Sequence, residues 1–155
     1  MACGGGRHAV WLASRGFRVT AVDFSAEALA KTGRLASEAG VGVNCLQLDL
    51  EAASLDLGRE VYDLVCGFYF LHRPLFPMLR EGVKRGGLIV YKTYTIARLA
   101  MGGRPRNPAH LLEPGELPRL LEGFQTLAYR EDPAGAAGIV AQKPAGVFAR
   151  REQRA

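Results

Sequence analysis

The 155-residue chain has no Cys-x-x-Cys pair and only three cysteines, Cys3, Cys45 and Cys66. An odd count without paired spacing excludes a disulfide framework and a thiolate zinc site. It fits a reducing cytosol in which the thiols are buried structural residues. Long hydrophobic runs are missing too: apolar stretches break after a few residues at a charge or a turn, far short of the ~20 that span a bilayer. No basic leader followed by an apolar segment is present, so a cytoplasmic location without membrane attachment is expected. Aromatic residues are sparse, at 8% with one tryptophan. The net charge of +5 is therefore not joined by the aromatic-rich basic strand that would stack single-stranded nucleic acid. Its nearest clusters, Arg104 with Arg106 and Arg150 with Arg151 and Arg154, read as solvated surface, which argues against a nucleic-acid partner.

What is present is an ordinary globular balance, 48% hydrophobic and 23% charged, over a length suited to one domain. The domain is expected to run over 1–148, with a basic C-terminal tail over 149–155. Helical and β-like patterns alternate along it. Arg7 to Arg15 reads as a short helix closed by Gly16, and Phe17 to Val22 as a β-branched strand ending at Asp23. Ser25 caps a helix whose apolar side carries Ala28, Leu29, Leu35, Ala36 and Ala39. Val43–Leu48 and Asp63–Phe70 read as strands, the second buried on both faces because it is apolar throughout. Leu75 to Val83 is helical, Gly86-Gly87 turns into the strand LIVYKTYT, and Ile96 to His110 is a loop or lid without a period. A helix from Glu116 to Leu121 and the strands QTLAYRE and GIVAQKP follow. The alternation predicts an α/β fold: a Rossmann-like three-layer αβα sandwich, with a mostly parallel sheet and a closing antiparallel strand.

Chemistry gathers where strand ends meet helix starts. Gly4-Gly5-Gly6-Arg7-His8-Ala9 fits Gly-x-Gly-x-x-Gly/Ala. In that reading Gly4 permits a tight turn, Gly6 leaves room for a ligand beside the backbone, and Ala9 allows close helix packing. Asp23 lies 17 residues after Gly6, at a strand's carboxyl end, where a carboxylate can accept from both hydroxyls of a ribose. On this reading Asp23→Asn, which keeps one acceptor, is milder than Asp23→Ala. A dinucleotide would place a pyrophosphate on the helix start. A third acid, Asp49 after the next strand with Leu50 behind it, can instead accept from an adenine amino group. His8 reads as a helix-start residue.

With these residues in view the sequence resembles a known family. ACGGGRHAVWLASRGFRVTAVDFSAEAL is similar to motif I and the following strand–helix unit of class I S-adenosylmethionine (SAM) dependent methyltransferases, and LDLEA to their adenine-side motif. YDLVCGFYFLHRPLFPML with RGGLIVYKTY resembles the fourth and fifth strand units of the branch related to tellurite-resistance methyltransferases. GGRPRNPAHLLEPGEL is similar to a later segment of its small bacterial members. The resemblance implies SAM as cofactor, S-adenosylhomocysteine as product and a small-molecule acceptor methylated by in-line displacement. It implies that Gly4, Gly5, Gly6, Asp23, Phe24, Asp49, Leu50 and Phe68 face the cofactor, with Phe68 and Tyr69 bordering the methyl group. Tyr69, Arg73, Lys92 and Tyr94 would line the acceptor site, Arg73 and Lys92 suiting an anionic acceptor. His72 is the candidate base for an acceptor that must lose a proton. No metal is implied.

The sequence departs from the family in one respect. Members begin with a strand ending in an acid, and that strand would fall immediately before Met1, central in the sheet between Phe17–Val22 and Asp63–Phe70. Without it, the flanking strands must pair directly, receive a strand from another chain or stay apart, and unpaired edges favour self-association. Two other readings remain beside a methyltransferase: a nicotinamide-dependent oxidoreductase, and a SAM-binding partner protein without turnover.

Overall fold

The sequence patterns fold into alternating helices and strands in a computed structural model that describes residues 1–52 and 55–146. Helix α1 (Arg7–Ala13) is followed by β1 (Val19–Asp23), α2 (Ala26–Glu38) and β2 (Val43–Gln47). Next come β3 (Tyr62–Phe68), α3 (Leu75–Gly82) and the long strand β4 (Val83–Tyr94). A short helix α4 (Ala97–Ala100), α5 (Glu116–Leu120), β5 (Gln125–Asp132) and β6 (Ala136–Gln142) follow. The basic tail with Arg150, Arg151 and Arg154 lies outside the described residues.

Local chemistry accounts for these elements. The Ser25 hydroxyl caps α2 by accepting from the Ala28 N–H at 3.2 Å, and Glu27 in the first turn complements the helix dipole. Leu29, Thr32 and Ala36 form the buried stripe of α2 at helical spacing. Along β4, Ile89, Tyr91 and Thr93 are buried while the residues between them are only half-covered, the period of two that a strand imposes. On the adjoining β6, Ala137, Ile139 and Ala141 are buried in the same way. Gly86-Gly87 is no turn before a strand, as the sequence suggested, but an irregularity inside β4. The register against β3 jumps from Tyr62↔Val83 to Leu64↔Leu88. A Cβ on Gly87 would lie 2.9 Å from the Asp63 carbonyl, so only glycine fits.

The topology is the expected Rossmann-like α/β arrangement with one interruption. β1 pairs in parallel with β2, and β3 in parallel with β4. β6 inserts antiparallel between β4 and β5. The sheet is thereby divided into β1-β2 and β3-β4-β6-β5. Val19, Thr20 and Ala21 of β1 and Tyr62, Leu64 and Cys66 of β3 line a cleft of about 880 Å³ that separates them. β1 and β3 therefore stay apart rather than pairing directly. Met1–Cys3 spans the separation: the Met1 ammonium donates to the Cys66 carbonyl at 3.0 Å, and the Cys3 N–H to the Val22 carbonyl at 2.9 Å. Burial holds that ammonium below its ordinary pKa, while the thiols of Cys3 and Cys66 are pushed up by their own burial.

The division explains two departures from expectation. β3, read as buried on both faces, has only Gly67 fully buried, because it borders the cleft instead of a strand. Cys45, read as a buried thiol, is exposed, because β2 is an edge strand with four of its five residues exposed. The main core lies on the other side of the cleft, where Leu71, Leu75, Phe76, Leu79, Leu112 and Leu117 pack with the inner residues of β4 and β6.

If the two edges are strand-accepting, a fused apolar strand of about five residues ending in Asp or Glu, placed directly ahead of Met1, pairs with both. Such a fusion is expected to raise the melting temperature and reduce self-association measured by light scattering. Equal melting temperatures and identical mass distributions for the two proteins would show that the cleft does not take a strand.

Candidate functional site

At one end of the cleft the chain enters α1 through Gly4-Gly5-Gly6. Gly4 and Gly6 hold left-handed backbones, at φ +52° and +78°. A Cβ on Gly4 or Gly5 would meet nothing within 4 Å, so this part of the loop is open. Gly6 is different: a Cβ there would come within 2.5 Å of the Thr32 Oγ1. Its smallness serves the packing of the loop on α2, not room for a ligand as the sequence suggested. Thr32 is fully buried, and its hydroxyl lies 3.2 Å from the Gly4 carbonyl and 3.0 Å from the Ala28 carbonyl.

Asp23, buried at the end of β1, is the hub of the loop. Its Oδ2 accepts the Gly4 N–H at 2.8 Å and its Oδ1 the Ser25 N–H at 3.0 Å. One carboxylate thus fixes both the glycine loop and the start of α2. Each oxygen retains a further lone pair for a ribose hydroxyl. Phe24, next to it, is 74% exposed, and its carbonyl accepts from the Gln47 Nε2 at 3.0 Å. The Leu48 N–H donates to the Asp23 carbonyl, so Asp49 follows at the carboxyl end of the neighbouring strand. Asp49 is exposed, its Oδ1 accepting the Glu51 N–H at 2.9 Å. Leu50 is only 6% exposed and belongs to the core cluster, so its role is packing beneath Asp49 and not contact with adenine.

At the end of β3, Phe68 stacks on His8 with ring centroids 4.1 Å apart and planes 20° from parallel. Both line the cleft, so His8 does more than begin α1. Tyr69 adopts a left-handed backbone at φ +57°, its N–H donating to the Lys92 carbonyl at 2.7 Å. Its ring meets Tyr94 at 4.9 Å. Phe68 and Lys92 are register partners, so Phe68, Tyr69, Lys92 and Tyr94 do come together at two adjacent strand ends. His72 is half-buried in the turn before α3, where its carbonyl accepts the Leu75 N–H at 3.1 Å.

Arg73 has another engagement. Its Nε and Nη2 form a two-point pair with Glu116 at 2.5 and 2.9 Å, and it also donates to the carbonyls of Ala109 and Leu111 at 2.7 and 2.9 Å. It pins the segment before α5 onto the turn after β3, and its guanidinium is not free for an acceptor. Thr32, the stacking of His8 on Phe68 and the pairing of Glu116 with Arg73 escaped the sequence reading. Thr32 was detectable, three residues after Leu29 and four before Ala36 on the apolar stripe; the Arg73–Glu116 pair spans 43 residues and left no local signal. The Ile96–His110 segment, read as a structureless loop, contains α4 and a single 3-10 turn at Pro108–His110.

The methyltransferase domain family matches residues 1–87, more than half of the chain. No curated protein matches significantly. Among solved structures, TehB from Haemophilus influenzae superposes with a TM-score of 0.75 at 20% identity, covering 91% of this chain and 55% of its own length. The chain thus spans just over half of that relative. An S-adenosylmethionine dependent methyltransferase from Mesorhizobium loti gives 0.74 at 18% identity, covering 90% of this chain and 87% of that one. The [4+2]-cyclase SpnF also gives 0.74 at 18%, over 93% of this chain and 73% of its own. At such identities the likeness establishes the fold.

Because Asp23 uses both oxygens as acceptors, the two substitutions should be nearly equal in their effect on stability. An asparagine turns an NH2 toward one backbone N–H, and Asp23→Asn and Asp23→Ala are each expected to cost about 2 kcal/mol of stability by urea denaturation. An asparagine variant of wild-type stability would remove Asp23 from the hub. The Arg73–Glu116 pair is tested by pH. Burial works to raise the Glu116 pKa, but Arg73, the Glu113 N–H and Arg119 together hold it below its ordinary 4.5. A depressed carboxyl stabilises the fold above its unfolded pKa and loses that contribution as pH falls through the folded one. Glu116→Gln should therefore cost about 2 kcal/mol near neutrality, with the gap to wild type narrowing as pH drops below 4.5. A gap independent of pH would show that charge is not what holds the segment.

Proposed function

The chain belongs to the methyltransferase domain family, and from that premise we propose that it binds SAM over the glycine loop and methylates a small-molecule acceptor. The observation that carries this reading is the open face of Gly4 and Gly5 held by Asp23, with Asp49 on the adjacent strand end. Asp23, through its remaining lone pairs, takes the ribose hydroxyls. Asp49, exposed and one strand away, takes the adenine amino group, and the exposed ring of Phe24, next in sequence to Asp23, covers the base. When bound, the cofactor supplies an electrophilic methyl group on a cationic sulfur.

The protein's part is then positioning. Bringing a nucleophile and a methyl group into line at near-contact distance removes several kcal/mol of entropic barrier without a charged intermediate. Phe68, stacked on His8, forms an apolar wall where the glycine loop approaches β3. Tyr69, Lys92 and Tyr94 line the acceptor side, and an acceptor hydroxyl that must lose its proton passes it to the imidazole of His72. A nicotinamide cofactor fits less well, since enzymes that use one do not usually need an acid at the place of Asp49.

Calorimetry separates these readings. S-adenosylhomocysteine is expected to bind the wild-type chain, with Asp23→Ala weakening it at least about thirtyfold, a loss of ~2 kcal/mol. NADH is expected not to bind. Binding of NADH in place of S-adenosylhomocysteine would overturn the reading.

A further inference from the structure

Tyr69 presents a physical puzzle. A bulky side chain at φ +57° costs roughly 1–2 kcal/mol, which glycine would avoid. Strain of this kind persists where surrounding structure enforces it, and it gathers at functional sites. The ring does not repay the cost by burial, being 53% exposed. It is presented outward at the mouth of the cleft, with one side against Tyr94.

Tyr94 is held from its other neighbour too. The Arg98 guanidinium lies 4.2 Å from the Tyr94 ring centroid, within cation–π range. Arg98 is itself anchored: its N–H donates to the Thr95 carbonyl at 3.0 Å and its Nε to the Arg104 carbonyl at 3.0 Å. The β5–β6 turn presses on its backbone so closely that a Cβ on Gly135 would come within 2.7 Å of the Arg98 Cα. Among the described residues no carboxylate pairs with Arg98, and its terminal nitrogens make no hydrogen bond. The segment that carries Arg98 is basic. From Gly82 to Leu112 the sequence carries Lys84, Arg85, Lys92, Arg98, Arg104 and Arg106 and no acid. The exposed ring of Tyr69 and the guanidinium of Arg98 thus both flank Tyr94.

Resting on the cofactor reading above, we propose that Tyr69, Tyr94 and Arg98 form the acceptor platform, and that the acceptor class is an aromatic acid. The planar ring of such a molecule lies against Tyr69, and its carboxylate pairs with the free terminal nitrogens of Arg98. Arg98 takes the role that Arg73, consumed by Glu116, cannot fill. Neither half of the ligand suffices: a saturated acid offers no face to the ring, and a neutral aromatic leaves the guanidinium unpaired.

The test uses the full chain and four probes in calorimetry, with and without S-adenosylhomocysteine. These are 4-hydroxybenzoate, its methyl ester, cyclohexanecarboxylate and inorganic phosphate. The first is expected to bind at least about tenfold more tightly than each of the others. Arg98→Ala and Tyr69→Gly should each weaken it about tenfold or more, with Arg98→Lys intermediate because it keeps the charge and loses the fork. Tyr69→Gly should also raise the melting temperature, since glycine relieves the strain, and this separates a recognition role from a structural one. Equal binding of the ester, the saturated acid or phosphate, or an unaffected Tyr69→Gly variant, would overturn the platform. S-adenosylhomocysteine binding without 4-hydroxybenzoate binding overturns the platform and leaves the cofactor reading standing. The converse supports the platform and removes the cofactor reading.

Discussion

The candidate site rests on one carboxylate. Asp23 accepts from Gly4 on one side and Ser25 on the other, so a single buried side chain joins the end of β1, the glycine loop and the start of α2. The two N–H groups it serves would otherwise be only part-buried donors without a side-chain partner. Thr32 completes the arrangement from below, its methyl and hydroxyl occupying the space that a side chain at position 6 would need. The loop is divided: Gly4 and Gly5 are open, and Gly6 is closed by packing. The same Gly-x-Gly-x-x-Ala spacing could not show this division, because all three residues are glycine.

A second constraint acts at the level of the sheet. The large side chains that exclude water lie around α3, β4 and β6, whereas the buried apolar residues on the glycine-loop side, Ala9, Val10, Ala21, Leu29 and Ala36, are mostly small. The β1-β2 pair buries less apolar area per residue and gains correspondingly less from the hydrophobic effect. It is attached to the rest through the hydrogen bonds of Met1 and Cys3 and through Val22, Leu48 and Leu50, which pack against the main core. The site therefore draws its residues from both sides of the cleft, with Asp23 and the glycines on the lightly packed side and Phe68 and Tyr69 on the other.

The fold is shared by proteins of different chemistry. A methyltransferase from Mesorhizobium loti and a protein named as a cyclase superpose on this chain equally well. Sites decide reactions where folds are shared. In this protein the groups proposed for that part, Tyr69, Arg98, Asp23 and Asp49, all stand at strand ends or in the segments just beyond them.

Elements set by local rules were legible in the sequence. The Ser25 cap, the β-branched run into Asp23, the strand from Val43 and the helix from Leu75 emerge within a residue or two of their expected bounds, because each depends on neighbours a few positions away. The glycine loop and its partner acid were legible for a related reason: one helix, one turn and one strand separate them, a spacing the α/β unit fixes. What the sequence could not specify depends on distant pairings. Leu50 reads as a neighbour of Asp49, yet tertiary packing turns it into the core. Arg73 reads as a free cation until Glu116, 43 residues later, neutralises it. Tyr69 reads as one more aromatic at a strand end, and only the folded backbone reveals its positive φ. Period, caps and turn chemistry thus determined which segments would be helix or strand. Which charges remain free, which rings face outward and which glycines are sterically required were decided only when separate segments were packed against one another.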